Sequence, residues 1–147
     1  MAQEASEKAE STGLRHGSFC WTEIASSDAE KCKEFYLNVF GWKFKDSDAT
    51  DGFAYHEFKT GNSEYPAGGL YQPSAEMFPD GNVPPPHFMT YVAVDDVDTN
   101  AKQARELGGT VLREPSDIPN VGRFAIIQDP SGAVFATFKM AEGGHHG

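Results

Sequence analysis

Glu23 is the residue whose setting most suggests chemistry. In the run Phe19-Cys20-Trp21-Thr22-Glu23-Ile24-Ala25 the side chains alternate as in a strand. Phe19, Trp21, Glu23 and Ala25 therefore share one face. Burying an unpaired carboxylate between aromatic rings is costly. The same desolvation would tune such a group toward the range where a general base works. The plainer alternative is a solvated rim position, or an ion pair with Arg123 or Lys139. A second alternating run, Phe88–Val94, puts Met89, Tyr91 and Ala93 on one face and makes the Tyr91 phenol a candidate acid.

Other side chains offer less. His56 and Glu57 are neighbours on a predicted strand, so they point to opposite faces and cannot ligate one ion together, whereas Tyr55 and Glu57 share a face. His87 follows Pro84-Pro85-Pro86 and reads as the end of a linker. Arg123, after Val121-Gly122, could hold an anionic group bidentately or simply pair with an acidic neighbour. Cys20 and Cys32 are too few for a disulfide framework and read as small buried hydrophobes. The chain has no Gly-x-Ser-x-Gly elbow, phosphate loop or paired-cysteine zinc spacing.

The elements that must position these residues come in two similar sets. After the first strand, Ser26-Ser27-Asp28 supplies a helix cap. Cys32, Phe35, Tyr36 and Val39 follow at helical spacing, and Gly41 provides the stop. Strands are predicted near 42–46, 53–59 and 66–72. In the second set Asp96 caps a helix carrying Val97, Ala101, Ala104 and Leu107, Gly108-Gly109 ends it, and strands are predicted near 109–113, 122–128 and 132–139. Asp28 and Asp96 stand 68 positions apart, as do Gly41 and Gly109. That equality predicts an α+β fold of two βαβββ modules, with helices at about 28–40 and 97–107. The expected organisation is a disordered arm over 1–15, a domain over 16–140 and a tail over 141–147. Within the domain, module one spans 17–72, a proline-rich linker 73–86 and module two 87–140.

Composition narrows the partners. The 147 residues are 39% apolar, with 12 Lys and Arg against 22 Asp and Glu, a net charge of −10. Such a surface repels phosphate backbones and anionic lipid, so neither nucleic acid nor membrane is expected as a partner. The first residues lack the apolar segment of a secretory signal, and no run approaches a membrane span, so a cytoplasmic location is expected.

The stretches CWTEIASSDAEKCKEFYLNVFGWKF, YVAVDDVDTNAKQARELGGTVL and GRFAIIQDPSGAVFATF resemble the glyoxalase/bleomycin-resistance/extradiol-dioxygenase (vicinal oxygen chelate) superfamily over residues 17–140. They are most similar to its antigen- or hydroxylase-like branch. The resemblance implies two modules that curl a mixed sheet into a cup around a ligand, and a homodimer as a common assembly. It also implies four metal-ligand positions, which here are Trp21, Gly69, Met89 and Ala136. None offers an oxygen or imidazole nitrogen, so no metal and no other cofactor is expected there.

The residues sharing the cup face are Phe19, Trp21, Glu23, Tyr71, Met89, Tyr91 and Phe138, with Tyr55 if its face is inward and Arg123 at the rim. The expected function is binding or sequestration of an aromatic or cationic small molecule, or metal-free acid–base chemistry with Glu23 as base and Tyr91 as acid. The alternative is a metal-dependent lyase or dioxygenase with displaced ligands, drawn from Glu23, Glu57 and His56 or His87. A module that only interacts with other proteins, its cup filled by its own side chains, is a third class.

Overall fold

Asp28 and Asp96 each open a helix, as their spacing predicts. The carboxylate of Asp28 accepts from the Lys31 N–H at 3.1 Å, and that of Asp96 from the Thr99 N–H at 3.1 Å. Each satisfies one of the orphan amides of a first turn. The computed structural model that shows this describes residues 15–47 and 53–141. Apart from Arg15 and Ala141, the arm and the tail lie outside the described residues.

The elements are β1 (Phe19–Ala25), α1 (Ala29–Phe40), β2 (Lys43–Asp46), β3 (Tyr55–Lys59) and β4 (Gly68–Tyr71), then β5 (His87–Ala93), α2 (Val97–Glu106), β6 (Thr110–Ile118), β7 (Gly122–Gln128) and β8 (Val134–Met140). The fold is α+β, with the βαβββ order occurring twice. In the first set the strands run β2-β3-β4-β1, and in the second β5-β8-β7-β6. The pairs β1–β4 and β5–β8 are parallel; the others within each set are antiparallel. The chain divides into two compact units. One is Trp21–Met89; the other joins the described residues up to 20 with those from 90 on.

In the first unit Ile24, Phe58 and Leu70 are buried against Ala29, with Cys32, Tyr36, Trp42 and Phe44 packed around them. Each such aliphatic or aromatic side chain contributes about 1.5–3 kcal/mol when fully buried. Alternation then fixes the other face: with His56 and Phe58 on the packed side of β3, Tyr55 and Glu57 stand on the opposite one. The second unit is built alike, with Val94, Val97 and Ala125 at its centre.

Two details depart from expectation. The left-handed residue after α2 is Gly108 (φ 95°), one position earlier than the equivalent of Gly41 (φ 76°). Strand β6 also runs on to Ile118, through Glu114-Pro115-Ser116, past the end predicted near 113. It lies at the end of its strand order and shifts register between Val111 and Arg113 and again before Ser116. An end strand with irregular pairing accepts a proline that a central strand would reject.

Candidate functional site: a hydrogen-bonded aromatic face on module one

Register places the candidate residues side by side. Glu23 on β1 is opposite Gly69 on β4, and Gly69 is opposite Glu57 on β3. One row over, Tyr71 is opposite both Ala25 and Tyr55. The Tyr55 phenol donates to Glu23 Oε2 at 3.0 Å and accepts from Trp21 Nε1–H at 2.8 Å. Tyr55 and Glu23 are on strands separated by β4, so the ring must cross β4 to make this bond. It crosses over Gly69: a Cβ there would lie 2.1 Å from Tyr55 Cζ and 2.2 Å from its Oη. The missing side chain of residue 69 is the space the phenol occupies.

Tyr71 flanks this chain of bonds, its ring 6.1 Å from that of Tyr55. Phe53 closes the cluster at 6.2 Å from Tyr55 and 5.9 Å from Tyr71. Burial first, and then the negative charge of Glu23, push the Tyr71 phenol up from 10.0 to about 12. It therefore stays a neutral hydrogen-bond donor throughout the physiological range. The face presents the rings of Trp21, Phe53, Tyr55 and Tyr71 and, in Glu23, a carboxylate already oriented by a phenol. That arrangement can stack a planar group and accept a proton or pair with a cation.

The second unit carries its own aromatic face. Tyr91 is only 8% exposed and stands opposite Ala136. Its ring lies 6.4 Å from Phe138 and 6.5 Å from Phe124, with the Arg113 guanidinium 5.2 Å above Phe124. The Cys20 thiol donates to the Tyr91 carbonyl at 3.6 Å, and burial pushes the thiol up to about 11, which makes it a poor nucleophile.

The sequence groups Phe19, Trp21, Glu23, Tyr71, Met89, Tyr91 and Phe138 on one cup face, with Tyr55 conditional; the structure joins Trp21, Glu23, Tyr55 and Tyr71 in the first unit and Tyr91 and Phe138 in the second. Sequence reasoning missed Phe53, Phe124 and Arg113. Phe124 and Phe138 share a register row on β7 and β8, a signal available only once the pairing is known. Phe19 is 80% exposed, and Met89 is half-buried. Arg123 takes the acidic-neighbour arrangement instead of the anion-binding one. It makes two bonds to Asp98 at 2.8 and 2.9 Å and a third to Asp117 at 2.9 Å, and these partners hold its proton more tightly. It alternates with Gly122 and Phe124 on β7, so it stands on the α2 side of the sheet. The groove of about 380 Å³ beside it, lined in part by Asn120, Lys139 and Met140, contains a cation already paired twice.

Two of the positions that the resemblance assigns to metal ligands are taken up by Tyr55. Trp21 is turned to Tyr55, and the space at Gly69 holds Tyr55's ring. The displaced set is not assembled either. His56 is buried and bonded through Nδ1 to Asp46 at 2.8 Å, on the opposite face from Glu57, and His87 Nδ1 contacts the Pro85 carbonyl. Among the described residues no three of His, Cys, Asp and Glu gather around one point.

The model of the Glyoxalase/Bleomycin resistance protein/Dioxygenase superfamily matches residues 18–137. The chain belongs to this superfamily. A Mycobacterium tuberculosis protein that carries the name glyoxylase, CFP32, is 36% identical over 125 residues, covering 85% of this chain and 45% of its own. The anthracycline biosynthesis protein DnrV of Streptomyces peucetius is 29% identical over 134 residues, covering 87% and 49%. The chain thus spans about half the length of these curated relatives. In fold it is similar to the crystal structure of methylmalonyl-CoA epimerase from Mycobacterium tuberculosis, with a TM-score of 0.61 at 19% identity and 90% of each chain covered. No helix among the described residues is long and apolar enough to cross a membrane.

Proposed function

We propose that this glyoxalase-superfamily chain binds a planar aromatic or cationic small molecule on the module-one face, between Trp21, Tyr55 and Tyr71, with Glu23 as the polar anchor. The observation that carries the reading is the Tyr55 phenol lying over Gly69. It puts an aromatic ring and an oriented carboxylate where metalloenzymes of the fold hold an ion. Support comes also from DnrV, a relative named for the biosynthesis of anthracyclines, which are polycyclic aromatic compounds. Acid–base chemistry on the same face would use Glu23 as proton acceptor. The phenol in contact with it is Tyr55, which takes the donor role first given to Tyr91.

Fluorescence titration with an anthracycline and with a planar monocation such as acridine orange tests the reading. Wild type is expected to bind at least one of them. Glu23→Gln should weaken binding at least tenfold, about 1.4 kcal/mol. Tyr55→Phe should weaken it less, because the ring remains while the bond to Glu23 is lost. Equal affinity in all three proteins, or no binding by wild type at millimolar probe, would refute it.

A further inference from the structure

Arg113 reaches the aromatic face of the second unit because β6 carries an extra residue. Val111 is opposite Ile127 on β7, yet Arg113 is opposite Ile126, so two steps along β6 match one along β7. In an unbroken ladder Arg113 would oppose Ala125, which is buried in the core beneath α2. The bulge at Leu112 moves it instead to the side shared by Ile126 and Phe124, away from α2. Leu112 is itself 53% exposed, so the extra residue adds nothing to the core. What it changes is the direction of the arginine.

The guanidinium lies over Phe124, 5.2 Å from the ring centroid. That is inside the range of about 6 Å over which an aromatic face attracts a cation. The acids on its own strand are engaged elsewhere: Glu114 pairs with Arg105, and Asp117 with Arg123. Among the described residues Arg113 makes no hydrogen bond or ion pair. A guanidinium held through its face keeps its N–H edge for a bidentate acceptor. Phe138 stands beside it. A Cβ on Gly122 would lie 2.6 Å from Phe138 Cζ, so that ring leans from β8 onto β7. Gly122 and Phe124 are two residues apart on β7, about 6.4–6.8 Å. A carboxylate carried directly on an aromatic ring spans that interval, its ring on Phe138 and its oxygens at Arg113.

We propose that Arg113, turned onto this face by the bulge, anchors a second binding site, for a planar aromatic carboxylate. All of its residues lie in the unit that includes Thr90–Gly147. The net charge of −10 disfavours anions at long range, so an acid is held only where a cation stands without an acidic partner. The inference does not rest on the module-one reading. Glu23 would repel an acid there, and either site can be lost without the other.

Isothermal titration calorimetry with 2-naphthoate and its neutral counterpart 2-naphthamide tests the site. Wild type is expected to bind the acid in the submillimolar range and the amide at least tenfold more weakly. Arg113→Gln should weaken binding of the acid at least tenfold. Arg113→Lys, which keeps the charge without the planar fork, should fall between the two. Lys102→Gln removes one positive charge from an exposed position on α2 and should bind as wild type does. Arg113 is exposed on an end strand, so its variants should keep the wild-type circular dichroism spectrum. Three results would overturn the inference: equal affinity of wild type for acid and amide, equal affinity of wild type and Arg113→Gln for the acid, or no binding at millimolar naphthoate.

Discussion

Tyr55 reaches Glu23 only because residue 69 has no side chain. In Gly69→Ala the new Cβ would overlap the phenol, so the ring must turn away and release Glu23. The expected cost is about 1–3 kcal/mol of stability, as for other overpacking changes. The probe affinity should fall at least as far as in Tyr55→Phe. Urea unfolding and the same fluorescence titration measure both, and a variant that binds like wild type would contradict the role given to the glycine. The neighbouring phenol gives a pH signature. Tyr71 holds its proton to about 12, against 10.0 for a free tyrosine. Between those two values the unfolded chain loses this proton while the folded one keeps it, so the stability present in full below about 10 should be lost as pH rises from about 10 to about 12, with no pH dependence from this group below 10. Absorbance at 295 nm should resolve a phenol that titrates near 12. Glu23→Gln should bring its midpoint down only in part, since burial is the larger cause of the shift.

At the scale of elements, both helices depend on an aspartate cap, while their ends differ. α1 stops at Gly41, whose N–H returns to the Leu37 carbonyl at 2.8 Å. α2 is also tied laterally, through Asp98 to Arg123 on β7. The caps carry the same local energy, so Asp28→Ala and Asp96→Ala should each cost about 1 kcal/mol in thermal or denaturant unfolding. A loss below a few tenths for either would show that its first turn is held by something else; Gln72 Oε1, 3.0 Å from the Ala29 N–H, is the available substitute at α1.

For the whole molecule, net charge governs what approaches. Twenty-two acids against 12 bases give a field that draws cations and is screened over about 10 Å at 0.1 M salt. The planar monocation should therefore bind more weakly as salt is raised, whereas a neutral aromatic probe should not respond, and the titration can be repeated at two ionic strengths to compare them.

Local order was legible from the sequence because its signals span a few residues. Alternation around Glu23 and Tyr91 assigned faces, Asp28 and Asp96 marked helix starts, and the 68-residue spacing exposed the duplicated βαβββ plan. The strand predicted near 109–113 continues through Pro115 to Ile118, since a proline is admissible in a strand only when the strand's place at the end of the order is known. Three further matters were decided by tertiary structure alone. Alternation says which face a side chain takes but not how far it reaches along that face. Tyr55's passage over Gly69 to Glu23 therefore depends on the register of three strands. Arg123 was claimed by Asp98 from a helix 25 residues earlier in the chain. The helical period of α1 showed an apolar face without showing that the sheet would cover only part of it, because burial is a property of what packs against a residue and not of the residue itself.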